Sequence, residues 1–201
     1  EKSDIKLIIM YGASEATARM TYLPWKDLKK NLGSIGKSIP GGSLWLEDEF
    51  GKKINSINTN GEIIYKGKNV SFGYATNIQD LSKGDSNNLI LKTGDIGYKN
   101  KSGYYYLVGR KDRFIKIHGL RVNLSEVEEI ISNIKIKSMC LKSSPNKILI
   151  YIRETNKIAI LKKLLSQKLS LHPSSFIIEI IKVFPLNKNY KISYNKLEIN
   201  K

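Results

Sequence analysis

The chain has 201 residues, 41% of them hydrophobic and 9% aromatic, an ordinary balance for a globular protein of one large or two small domains. A net charge of +16 raises the alternative of a basic nucleic-acid-binding protein, but the lysines are scattered among Ile and Asn, and the aromatics do not interleave with them as a stacking platform requires. No apolar run approaches the roughly 18 to 20 residues that cross a bilayer, the N-terminus lacks a secretory signal pattern, and the single cysteine, Cys140, cannot close an intramolecular disulfide, so no membrane association and a cytoplasmic location are expected.

Residues 5–10 form an apolar run that ends in Tyr11-Gly12-Ala13-Ser14-Glu15. They read as a buried strand emptying into a loop, and ligand sites favour such strand ends. Within 33–109, β-like stretches at 43–46, 61–65, 89–91 and 104–108 alternate with turns of Gly, Asn, Asp and Lys. That spacing predicts a small antiparallel or barrel-like β-subdomain.

The pattern changes after Asp112. Residues 113–117 and 120–122 read as a hairpin around His118-Gly119, followed by a helix from 126 to about 134 with Ser125 and Glu128 at capping-box spacing. Stretches 138–141 and 148–153 alternate as strands, and Cys140, in an apolar setting, reads as a buried, inert thiol. Ile158, Leu161, Leu165 and Leu169 line one face of a second helix that stops before Pro173, and 176–183 reads as another strand. The predicted fold class is therefore α+β: a β-rich segment 1–112 followed by a small α+β domain 113–201. Most of the positive charge lies in the second part. A solvated basic face and a docking surface for something acidic are both open readings of it.

Five segments carry further information through their order. They are Tyr11-Gly12-Ala13-Ser14-Glu15; Gly61-Glu62-Ile63-Ile64-Tyr65 through Gly73-Tyr74; Thr93-Gly94-Asp95 with Gly97, Tyr98 and Gly103-Tyr104; Gly109 through Val122 with Glu126, Glu128 and Glu129; and Pro185-Leu186-Asn187-Lys188-Asn189-Tyr190-Lys191-Ile192. Read singly, the pentapeptide and Gly94-Asp95 are turns, and His118 is an exposed turn residue. In this order and spacing they resemble the C-terminal motifs of the AMP-forming adenylating enzymes, the superfamily of acyl-CoA synthetases, peptide-synthetase adenylation domains and luciferases.

The resemblance implies the β-rich end of a large ATP-binding domain (1–112) followed by a mobile lid (113–201). It implies that Tyr11, next to Gly12, stacks on adenine, that Ser14 bonds the α-phosphate in place of the usual Thr, and that Glu15 holds Mg²⁺ against the triphosphate. Those residue types suit a base, a phosphate and a hard cation respectively. Asp95 is implied as the ribose ligand, since a carboxylate can accept from two vicinal hydroxyls at once. Arg110 is implied to contact ribose or phosphates, Asp112 to be the hinge, and His118-Gly119 to be the hairpin tip used in thioester formation. Lys191 is implied as the catalytic cation for the developing charge at the α-phosphate. Tyr190 departs from the pattern, which has glycine before that lysine, and a tyrosine is strained wherever φ is positive.

The implied reaction uses ATP, Mg²⁺ and a carboxylic acid to make an acyl-adenylate, then a thioester with coenzyme A or with the phosphopantetheine of an acidic carrier protein. No Ser/Thr/Gly-rich phosphate loop ending in Pro-Lys-Gly occurs in these residues. The expectation is a chain that needs an N-terminal half supplied elsewhere. The alternative is a degenerate module of the same fold that serves interaction without catalysis.

Overall fold

The computed structural model describes residues 5–153 and 156–194. The chain divides into two compact units between Lys111 and Asp112.

The first unit is built on strands β1 (Ile9–Tyr11), β2 (Thr21–Leu23), β3 (Ser34–Ser38), β4 (Ser43–Glu47), β5 (Lys53–Ile54), β6 (Gly61–Lys66), β7 (Ile90–Lys99) and β8 (Tyr105–Arg110), with one short helix, α1 (Trp25–Leu28). They form one antiparallel sheet in the order β1-β2-β3-β8-β7-β6-β4-β5. Strand β6 lies inside this sheet, between β7 and β4, and is buried from Gly61 to Tyr65. Its Ile63 packs with Ile35, Leu46 and Tyr105, while Tyr65 packs with Ala16, Met20 and Val70 on a second cluster.

The expected buried strand over 5–10 is corrected. Only Ile9–Tyr11 pairs, and Ile5, Leu7 and Met10 are exposed. The reason is position: β1 is the edge strand, bonded to β2 alone, so among the described residues no neighbour covers its outer side.

A 3₁₀ turn at Lys111–Arg113 spans the boundary, and the second unit continues with the hairpin β9 (Phe114–Ile117) and β10 (Leu120–Asn123), followed by α2 (Leu124–Ser132), β11 (Ser138–Lys142), β12 (Ile148–Ile152), α3 (Ile158–Leu169) and β13 (Phe176–Ile180). Strands β11 and β12 pair antiparallel and β12 and β13 parallel. The parallel step needs a crossover, which α3 provides. Leu161 and Leu165 of α3 and Val127 and Ile131 of α2 are fully buried in one cluster with Ile148, Ile150 and Ile152, and Ile158 and Leu169 pack at its margin. This mixed architecture is the α+β class read from the sequence.

The start of α2 differs from expectation. Asn123 caps the helix, its Oδ1 accepting from Ser125 N at 2.9 Å, so Ser125 lies inside the first turn. Glu128 is thereby released from a capping box. It accepts instead from Arg113 Nη2 and from Cys140 N, both at 2.7 Å, and from the Tyr194 hydroxyl at 3.0 Å. The last strand is shorter than predicted, ending at Ile180.

Candidate functional site

In the first unit the fold gathers residues that are far apart in sequence. The Tyr11 hydroxyl at the end of β1 donates to Asp95 Oδ2 at 2.5 Å. Asp95 on β7 and Arg110 on β8 are register partners, and Arg110 Nη1 donates to Asp95 Oδ1 at 3.1 Å and to the Thr93 carbonyl at 3.0 Å. Burial, reinforced by the Asp95 carboxylate, pushes the Tyr11 hydroxyl well above its ordinary pKa. Tyr11 is therefore a neutral donor at any physiological pH.

The turn that presents Asp95 is fastened from behind. Thr93 Oγ1 donates to the Ile63 carbonyl at 2.7 Å and accepts from Asp95 N at 3.1 Å, while Gly94 N donates to Glu62 Oε1 at 3.2 Å. Lys111 closes the same carboxylate, Nζ to Glu62 Oε2, at 2.6 Å. Gly94 has φ +70°, so the backbone conformation calls for glycine, and a Cβ there would lie 3.2 Å from Arg110 Nη2, which would have to give by a few tenths of an ångström. The β6–β7 ladder shifts register between Glu62 and Ile64, a bulge beside the site. Glu62 and Thr93 stand in the motif segments without a role of their own in the sequence; neither residue type has chemistry that singles it out before the strands are paired.

The loop after Tyr11 folds back on itself, with Ala16 N bonded to the Ala13 carbonyl and Met20 N to the Tyr11 carbonyl. Gly12 permits this, because a Cβ would lie 3.0 Å from both Ala18 O and Arg19 Cα. Ser14 is exposed on this loop. Glu15 accepts from the Tyr74 hydroxyl, which with its own backbone amide holds its carboxyl below the usual range. Tyr74 ends the second motif segment, and the sequence assigns it no site role. Among the described residues no group of His, Cys, Asp and Glu could hold a metal ion by itself. A lone ionised Glu15 fits a Mg²⁺ that arrives with phosphates and keeps several waters.

The remaining sequence-predicted residues lie in the second unit. Asp112 is exposed in the 3₁₀ turn that begins it. His118 (φ 46°) and Gly119 (φ 83°) form the two-residue tip of the β9–β10 hairpin. Two positive φ values are what a type I′ turn demands, and no atom lies near a Cβ built at Gly119, so conformation rather than crowding calls for glycine there. His118 N donates to Asn146 Oδ1 at 2.7 Å. Lys191 is exposed in a loop closed by the Leu186–Ile192 bridge, and Asn187 Oδ1 accepts from both Asn189 N and Lys191 N. Tyr190 sits there at φ 58° with 87% of its surface exposed: the tyrosine holds the left-handed conformation for which glycine is the usual residue.

No family model matches the chain. A 2-succinylbenzoate–CoA ligase of Oceanobacillus iheyensis is 32% identical over 144 residues, covering 71% of this chain and 29% of that protein. Nonribosomal peptide synthetase 5 of Aspergillus fumigatus is 32% identical over 201 residues, covering 96% of this chain and 9% of that protein. Among solved structures, the o-succinylbenzoate coenzyme A synthetase of Bacillus subtilis in complex with AMP matches with a TM-score of 0.72 at 22% identity, over 96% of this chain and 41% of that one. The chain thus spans less than half the length of each of these proteins. Taken with the motif order and the Tyr11–Asp95–Arg110 cluster, these likenesses place the chain: it belongs to the AMP-forming adenylating enzymes and corresponds to their C-terminal portion.

Proposed function

We propose that this chain supplies the ribose-binding part of the nucleotide site, and the lid, of an ATP-dependent ligase that activates a carboxylic acid as its acyl-adenylate and passes the acyl group to a thiol. The observation that carries this reading is the convergence of Tyr11, Asp95 and Arg110 in one buried-edged cluster. ATP supplies the electrophilic α-phosphorus, with Mg²⁺ neutralising the triphosphate. Asp95 already accepts two hydrogen bonds, and a carboxylate has about four lone-pair directions, so two remain for a ribose diol. Arg110 holds Asp95 in place through the Nη1 contact to its Oδ1. Tyr11 presents its ring beside them, Ser14 its hydroxyl from the loop, and Glu15 an ionised oxygen for the metal.

The roles in the second unit follow from its position after Asp112. That residue lies where a single segment joins two separately cored units, the kind of place where a chain changes φ/ψ without disturbing either core. Lys191, with its own loop, neutralises charge as the carboxylate oxygen attacks the α-phosphorus and pyrophosphate departs. The His118-Gly119 tip serves the second step, in which the sulfur of coenzyme A or of a pantetheine arm displaces AMP. Tyr190 supports this reading over a degenerate interaction module, because the loop carrying Lys191 takes up its left-handed residue despite the loss of glycine.

The test uses an enzyme completed with the upstream part of a related ligase. Lys191→Ala should abolish carboxylate-dependent pyrophosphate exchange while thiol attack on supplied acyl-adenylate persists, and Asp95→Ala should impair ATP use. Equal loss in both half-reactions for Lys191→Ala would remove its assigned role.

A further inference from the structure

Glu62 stands on β6, whose next three residues, Ile63, Ile64 and Tyr65, are apolar and fully buried. Its own side chain keeps only 10% of its surface exposed. A carboxylate in such a place costs solvation unless it is bonded, and both of its oxygens are: Oε1 accepts from Gly94 N at 3.2 Å and Oε2 from Lys111 Nζ at 2.6 Å. Each of these partners adjoins a residue of the nucleotide cluster. Gly94 precedes Asp95, and Lys111 follows Arg110. One carboxylate therefore fastens the chain beside Asp95 and the chain beside the Arg110 guanidinium that bonds to it.

The strand ladder alone does not fix this turn. Glu62 pairs with Ile96 and Ile64 with Lys92, so residues 93–95 stand opposite Ile63 alone. Extra residues at a bulge are left unpaired, and the bonds from Thr93 to Ile63 and from Gly94 to Glu62 replace the missing ladder. Stability does not account for a charge here. Lys111 is half exposed, such a pair contributes little, and an apolar residue of similar volume in a buried strand is often neutral or better. Fixing a geometry does account for it. We propose that Glu62 is a positioning residue for nucleotide binding, which through Gly94 and Lys111 sets Asp95 and Arg110 at the spacing that receives a ribose diol; this rests on the ligase reading of Asp95. Lys111 is also the last residue of the first unit, so the same ion pair ties the nucleotide turn to the start of the segment that carries Asp112.

The test titrates the 201-residue chain with AMP and with 2′,3′-dideoxyadenosine 5′-monophosphate, which lacks the diol, and repeats this for Glu62→Gln, Lys111→Met and the double variant. Glu62→Gln keeps the size and an acceptor for Gly94 N but loses the charge that holds Lys111. Thermal unfolding verifies that each variant is folded, and Lys111→Met, at the half-exposed end of the pair, carries the test should Glu62→Gln unfold. The unaltered chain should prefer AMP by roughly ten-fold, as hydrogen bonds to a charged group allow. Each single variant should lose most of that preference by weakening AMP and not the dideoxy nucleotide, and the double variant should be no worse than either, because the two residues act as one unit. In the ligand-free chain the Asp95 amide and Arg110 guanidinium resonances should move in both single variants. Equal weakening of both nucleotides, discrimination retained in full, or unmoved resonances would overturn the proposal. An unaltered chain that binds both nucleotides alike would instead remove the ribose reading of Asp95, and the role of Glu62 with it.

Discussion

The Tyr11 hydroxyl meets the Asp95 carboxylate at 2.5 Å, joining the end of the edge strand to a strand 84 residues further along the chain. Because Arg110 holds the other oxygen of Asp95, one carboxylate organises an aromatic ring, a cation and two strands. Asp95→Ala should leave the Tyr11 hydroxyl and the Arg110 guanidinium without their carboxylate, at a cost of about 1–3 kcal/mol in stability. Tyr11→Phe, which loses one bond and keeps the ring, should cost about 1 kcal/mol. Both are measurable by urea unfolding followed by tryptophan fluorescence, because Trp25 and Trp45 both lie in the first unit. Equal stability of the two variants would mean that the cluster does not centre on Asp95.

Glu128 should be the most sensitive charged position of the second unit. Its carboxylate is largely buried, faces an equally buried Arg113, and accepts from Cys140 N and Tyr194 as well. Arg113 in turn donates to the Cys140 carbonyl and lies over the Tyr194 ring. Removing one member leaves a buried charge unpaired, so Glu128→Ala should destabilise by about 3–5 kcal/mol. The double variant with Arg113→Ala should fall short of the sum of the single effects. Hydrogen exchange at β12 amides reads this out; additive losses would show that the pair is not coupled.

Stability of the second unit should decline in alkali. Burial, with the Glu128 charge next, raises Cys140 well above its ordinary 9.0, and burial, again with Glu128, raises Tyr194 from 10.0 to about 12. Both groups hold their protons more tightly when folded, so their contribution is complete below about pH 9 and is lost as pH climbs toward 12. Tyr194→Phe should flatten the part of the decline between about pH 10 and 12 while lowering stability at neutral pH by about 1 kcal/mol, the value of one hydrogen bond. An unchanged slope would remove Tyr194 from the account.

Tyr190→Gly should stabilise the protein. The residue is exposed, so little packing is lost, and it occupies a left-handed conformation that costs a non-glycine residue roughly 1–2 kcal/mol. Glycine gives back about 0.5–1 kcal/mol through its greater freedom in the unfolded chain. The net gain is between about 0 and about 1.5 kcal/mol. A lower melting temperature for Tyr190→Gly would show that the ring makes a stabilising contact.

The helices and most strands were legible because burial in them follows period. Leu161 and Leu165 are spaced for one helical face and are fully buried on it. Position within a sheet was not legible: residues 5–8 have the composition of a core strand, yet the next strand pairs only from Ile9, at an edge. The cap of α2 was misplaced for a local reason, since Asn123 and Ser125 are both good caps and only the backbone entering from β10 decides between them. The motif residues Tyr11, Asp95 and Arg110 could be named in advance, but their meeting depends on strand order. Glu62 and Tyr74 were missed as partners because a Glu and a Tyr in a β-rich stretch have no signature until Gly94, Lys111 and Glu15 are brought to them.

The central claim, that Tyr11 meets the base of an adenine nucleotide while Asp95 receives its ribose and Arg110 its ribose or phosphate, is tested most directly by titrating the isotope-labelled chain with AMP and following its amide resonances. The account predicts weak, saturable binding, with a dissociation constant in the high micromolar range or above. The shift changes should centre on Tyr11 to Glu15, Thr93 to Asp95 and Arg110, and Asp95→Ala should abolish them while the protein stays folded. Changes confined to other residues, or an AMP response that survives Asp95→Ala, would contradict it.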